Sequence, residues 1–130
     1  MADYTKINLK NIEDAAAKHG YGDHHKAHFA SKPLGLEKSG LSYQFYLPGK
    51  RSMFGHKHRE QEEIFIVLEG DGRIKLDDEI IEVSAFDAVR VAPGVTSALE
   101  AGPKGMGVLI TGAPKLEERD WEMQQDWWTE

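Results

Sequence analysis

Two histidines set two positions apart, His56 and His58, followed by Glu63, are the residues of this 130-residue chain best suited to do chemistry. Neutral imidazole and carboxylate together suit iron, manganese, nickel, copper or zinc, and a face of two histidines and one carboxylate leaves coordination positions open for water, substrate or oxygen. On a strand, side chains at i and i+2 leave from the same face, so both imidazoles point one way. The four residues Arg59 to Glu62 suit a short hairpin loop. Such a hairpin brings Glu63 onto a return strand beside the histidines, with Phe65 and Val67 continuing on its face as an apolar floor. The same spacing also fits an exposed hairpin in which Glu60, Glu62 and Glu63 form one solvated charge run.

The elements that must position these residues read as strands. Thirteen glycines and five prolines punctuate short apolar runs, which is the pattern of an all-β sandwich or barrel. From Leu41 the residues alternate until Pro48-Gly49 ends the strand, and Met53–His58 follows. Glu63–Glu69 is apolar on nearly every residue, as in a strand covered on both faces. Gly70-Asp71-Gly72 turns the chain into Arg73–Leu76, and Asp77-Asp78 joins that run to Glu79–Val83 as a hairpin. Ala88–Val91, Thr96–Leu99 and Gly107–Thr111 complete the set, divided by Pro93-Gly94 and Gly102-Pro103. With no long helix between them, these strands pair antiparallel. Upstream, Tyr4–Asn8 reads as an edge strand, Ile12–His19 as a short helix and Tyr21–Pro33 as irregular cover. The chain therefore divides into an N-terminal cover (1–40), a barrel core (41–112) and a tail (113–130), all within one domain. The tail, with Trp121, Trp127 and Trp128, is a short helix or an extended strap, its indoles docking on the barrel or a partner subunit or closing the barrel's own core.

The stretch from Gly49 to Gly70 resembles the first motif of the cupin superfamily: glycine, His-x-His, a glutamate, and a closing glycine. Gly49, His56, His58, Glu63 and Gly70 fall on it, with one residue more than usual between Gly49 and His56. Glu63 rather than Glu62 is the matching acid, because six residues separate it from Gly70. The resemblance covers about Leu41 to Thr111 and implies an antiparallel jelly-roll barrel, here with a short N-terminal helix and a C-terminal extension. It also implies that His56, His58 and Glu63 are metal ligands. The second motif departs from the pattern. Its positions read Phe86, Ala92, Gly94, Ser97 and Ala101, so Gly94 survives beside Pro93 while the usual histidine is Ser97. A serine hydroxyl is a far weaker ligand than imidazole and suits a water or a substrate group better. Either the three remaining ligands bind a divalent metal, or the same polar groups bind an organic molecule by hydrogen bonds.

Around this centre Gln44, Tyr46, Phe65 and Ser97 are expected to line a ligand pocket. Arg51 and Arg90 are candidate anchors for a ligand carboxylate or carbonyl, with an outward position favoured for Arg51. Phe54, Val67, Leu99 and Met106 read as barrel packing, and Phe65 also serves as packing. His24, His25 and His28 read as a solvated loop. The function expected is that of a small metal- and ligand-binding cupin, either a dioxygenase- or isomerase-type enzyme or a non-enzymatic sensor. Sixteen basic against twenty-two acidic residues give a net charge of -6 without a basic block, which argues against nucleic acid. The first twenty residues carry no secretory pattern, no apolar run is long enough to span a bilayer, and there is no cysteine, so a cytoplasmic protein is expected. The apolar run Ile64–Leu68 needs cover on its outer face, which implies a homodimer.

Overall fold

The computed structural model describes residues 2–18, 20, 22–113, 121–125 and 127–128. Among the described residues, eight antiparallel strands form one curled sheet. They are β1 (His25–Phe29), β2 (Gly40–Tyr46), β3 (Gly55–His58), β4 (Glu63–Leu76), β5 (Glu79–Ser84), β6 (Ala88–Val91), β7 (Ser97–Gly112) and β8 (Trp121–Gln124). The expected all-β jelly-roll architecture is present.

The long strands β4 and β7 pair along their length and make the frame. Where the sequence suggests a turn at Gly70–Gly72 and another at Gly102-Pro103, both strands run on. Register shifts at Val67/Glu69 and Gly70/Gly72 bend the ladder instead of ending it. Gly70 makes that bend possible: it sits at φ 72, and a Cβ there would overlap the Gly105 carbonyl. One half of the frame carries β2, with β1 beyond it, and β6. The other half carries β5 and β3. The Asp77-Asp78 hairpin forms as expected between β4 and β5, with Asp77 at φ 52, a conformation aspartate tolerates in tight turns. Between the two halves, Phe65, Val67, Ile74, Leu99, Met106 and Val108 are wholly or almost wholly buried. Phe54 is only partly buried.

The N-terminal quarter differs from its sequence reading. Tyr4–Asn8 pairs with nothing as a strand and leads into a 3-10 turn at Leu9–Asn11, which Asn8 caps by accepting from the Lys10 amide at 2.9 Å. The helix is only α1 (Ala15–Lys18), because the Asp14 carboxylate accepts from the Ala16 and Ala17 amides and fixes its start. His19, at the expected helix end, lies outside the described residues. The same carboxylate accepts from the Ala27 amide at 3.0 Å and so ties α1 to the edge of β1. The segment expected to be irregular contains β1 and the short helix α2 (Ser31–Leu34). Among the described residues no helix is long and apolar enough to cross a membrane.

Candidate metal and ligand site

His56 and His58 stand two positions apart on β3, and their rings meet edge to face at 5.5 Å between centroids. Each Nε2 approaches the same oxygen, Glu63 Oε1, at 3.5 Å and 3.3 Å. One donor atom from each of the three residues lies within 4.8 Å of the others. Glu63 arrives differently from its sequence reading. Strands β3 and β4 share no ladder: β3 pairs with β7 and β8, whereas Glu63 pairs with Val91 on β6 and Gly112 on β7. Residues 59–62 carry the chain from one half of the barrel to the other, and the carboxylate reaches back across the interior. The inferred hairpin is therefore a crossover, yet the three donors meet.

Burial opposes charge on Glu63, but the two imidazoles outweigh it and hold the carboxyl at about 2. The group is thus an anion at any physiological pH. His58 is buried, while His56 and Glu63 are half-buried, so the cluster lies just inside the barrel with one side approachable.

Ser97, which takes the place of the second-motif histidine, is opposite His56 in the ladder. Cross-strand partners project to one face, so the serine hydroxyl shares the interior with the imidazole. Ser97 is 0 % exposed, and its Oγ has no hydrogen-bond partner among the described residues. An orphaned hydroxyl in a core is costly, and such groups mark sites completed by a water, an ion or a ligand. The backbone of the second motif survives its substitutions: Phe86 holds φ 73, a region glycine occupies at no cost, and Gly94 holds φ 87.

The other expected pocket residues also face inward. Gln44 and Tyr46 lie opposite Val108 and Met106, which are fully buried in the core. The Tyr46 hydroxyl donates to Gln44 Oε1 at 3.1 Å. Burial pushes that phenol up to about 12; a hydrogen bond with Ser52 opposes the shift and the Glu63 charge adds to it. Phe65 follows Glu63 on the inward face and is fully buried. Ser52 was not anticipated, and nothing in its sequence neighbourhood signals a pocket role.

His25 is a correction. It is not in a solvated loop but on β1, stacked on Tyr46 at 4.9 Å between centroids and 14° between planes. Burial lowers its pKa, against an opposing pull from Asp14. His28 is likewise buried, its Nδ1 2.7 Å from the Ile12 carbonyl oxygen, and it stacks on Tyr43. No period-2 signal was available in His25–Phe29, where adjacent Ala27 and His28 are both buried and Phe29 is exposed. Arg51 and Arg90 do not enter the pocket. Arg51 pairs with Glu100, and Arg90 pairs at the surface with Glu62 at 3.1 Å. Two surface hollows, one around Asp71, Arg73, Glu82 and Glu100 and one around Asp77, Glu79 and Arg90, contain none of the three convergent donors.

Comparison with known proteins agrees with this fold. Residues 42–104 match the cupin domain family. An uncharacterised protein of Methanocaldococcus jannaschii is 33% identical over 87 residues, which span 66% of this chain and 69% of that protein. A cupin protein of Bacteroides fragilis superposes with a TM-score of 0.70 at 24% identity, over 91% of this chain and 89% of its own. A sugar phosphate isomerase of the cupin superfamily from Silicibacter pomeroyi gives 0.70 at 17% identity, over 94% and 93%. With the first-motif residues converging on one point inside a jelly-roll barrel, the chain belongs to the cupin superfamily.

Proposed function

We propose that this protein holds a divalent transition metal through His56, His58 and Glu63 and binds a small organic molecule beside it. The observation that carries this reading is the convergence of three donor atoms within 4.8 Å of one another. Their chemistry suits iron, manganese, nickel, copper or zinc, and a three-ligand set leaves positions for substrate. When bound, such a metal supplies Lewis-acid activation of the molecule it touches. The chain's own groups orient that molecule: Gln44 and Tyr46 offer an amide and a phenol, Ser97 a hydroxyl awaiting a partner, and Phe65 an apolar floor.

An isomerase- or dioxygenase-type enzyme is the first reading of this arrangement, supported by the sugar phosphate isomerase among the structural relatives. A non-enzymatic sensor is the second, favoured by Ser97 in place of an imidazole ligand. We also infer a homodimer, since Ile64 and Leu68 on β4 remain 38% and 41% exposed. Light scattering at micromolar concentration showing only monomer overturns the dimer.

Metal content measured on protein grown in supplemented medium tests the metal reading, with His56→Ala as control. One metal per wild-type chain and little in the variant is the expected result. Wild-type protein that carries no metal and takes none up overturns it. A turnover screen on metal-loaded protein then separates the enzyme from the sensor.

A further inference from the structure

The strand that carries both histidines is tied to the barrel at two points, and at one of them the Gly94 amide donates to the His58 carbonyl at 2.7 Å. Among the described residues its one ladder pair with β7 is His56 opposite Ser97. The ladder that holds it is on the other edge, where four pairs from Gly55↔Gln124 to His58↔Trp121 join it to β8. Lys57 Nζ reinforces that edge at 3.4 Å from Glu122 Oε2. Alternation along β3 puts Gly55 and Lys57 on the face opposite the imidazoles. A Cβ at Gly55 would lie 2.7 Å from Trp127 Cε3, so the indole is seated directly on the strand's backbone.

Trp127 is fixed from the other side. Lys75 Nζ lies 4.5 Å from the centre of its ring and donates to its carbonyl at 3.0 Å. Trp128 is held likewise, with the Arg51 and Arg73 guanidinium carbons 4.7 and 5.3 Å from its ring and Arg51 donating to its carbonyl at 3.1 Å. Glu100 binds both arginines and aligns them.

We propose that the C-terminal segment is the bracket of the metal site: β8 and Trp127 hold β3 in the position from which His56 and His58 meet Glu63. Trp127 is then a positioning residue. The metal arm of this inference rests on the reading of the three residues as ligands, whereas the bracket itself does not need a metal to be seen.

Full-length Trp127→Ala and Trp127→Phe test it by two measurements. Amide hydrogen exchange without metal reads the strand. Trp127→Ala should speed exchange over residues 55–58 about tenfold and leave the β4 and β7 ladders unchanged, and Trp127→Phe should restore most of the protection. Titration with Co²⁺ reads the site, where the alanine variant should lose about tenfold in affinity, the scale of supporting groups around a metal, and the phenylalanine variant little. If Trp127→Ala does not fold, Lys75→Ala releases the same clamp from the surface and should show the same pattern in weaker form. Unchanged exchange at residues 55–58, or wild-type Co²⁺ affinity in a folded alanine variant, overturns the bracket. Wild-type protein that binds no Co²⁺ overturns the ligand reading instead, and the exchange result then decides the bracket alone.

Discussion

The two sides of the candidate metal site rest on unequal supports. Glu63 opens a fourteen-residue strand flanked by β6 and β7, with fully buried Phe65 two positions on. His56 and His58 occupy a four-residue strand that pairs with β7 at one position, accepts from the Gly94 amide at the His58 carbonyl, and is held along its other edge by the C-terminal segment. A carboxylate on a rigid frame facing imidazoles on a separately held strand lets geometry on one side change while the fold persists. With the C-terminal segment as bracket, stability and site geometry should respond to different substitutions.

The largest expected effect lies on the rigid side. Phe65→Ala should cost about 3–5 kcal/mol, the range for emptying a fully buried phenylalanine site. Denaturant unfolding checks it, and a loss below ~1 kcal/mol would mean that β4 is not the frame. Ser97→Ala probes the junction of the two supports. Removing a buried hydroxyl that has no partner among the described residues should leave the metal-free protein as stable as wild type or more stable by about 1 kcal/mol. A clear destabilisation in the same assay would show that the hydroxyl is already satisfied.

His25 tests the edge next to the pocket. Burial disfavours its imidazolium, so the folded pKa lies below the 6.5 of the unfolded chain. Between those two values the unfolded state binds more protons, so this contribution is present above about pH 6.5 and is lost as the pH falls towards the folded pKa. A series of unfolding midpoints in this range should therefore fall more steeply with acid for wild type than for His25→Gln. Parallel profiles would contradict the burial of this ring. The smallest effect belongs to the exposed Arg90–Glu62 pair, where Arg90→Ala should change stability by no more than about 0.5 kcal/mol. A larger loss would give that surface a role the fold does not assign it.

Much of the frame was legible in the chain. The alternation in β2, the apolar run of β4 and the Asp77-Asp78 hairpin each carry a local signal, and each forms. The three donors were legible because their identity and spacing survive independently of the connection between them. What was hidden depends on contacts distant in sequence. The crossover at residues 59–62 looks like a hairpin because loop length alone does not reveal which strand Glu63 will pair with. β1 was missed because its burial does not alternate: neighbouring Ala27 and His28 are both buried while Lys26 and Phe29 are exposed. The continuity of β4 and β7 was missed because glycines that mark turns also mark bulges. Trp127 and Trp128 were visible as residues, but the cations that hold them come from β4 and the segment before β3.

The central claim is that His56, His58 and Glu63 act as one metal site. It is tested most directly by calorimetric titration of metal-free protein with Zn²⁺ and with Co²⁺, run beside His58→Ala and Glu63→Gln. One ion per wild-type chain at micromolar or tighter affinity, with saturation lost in both variants while their fold is retained, is the expected result. Absence of binding to the wild type, or binding that survives in both variants, would contradict it.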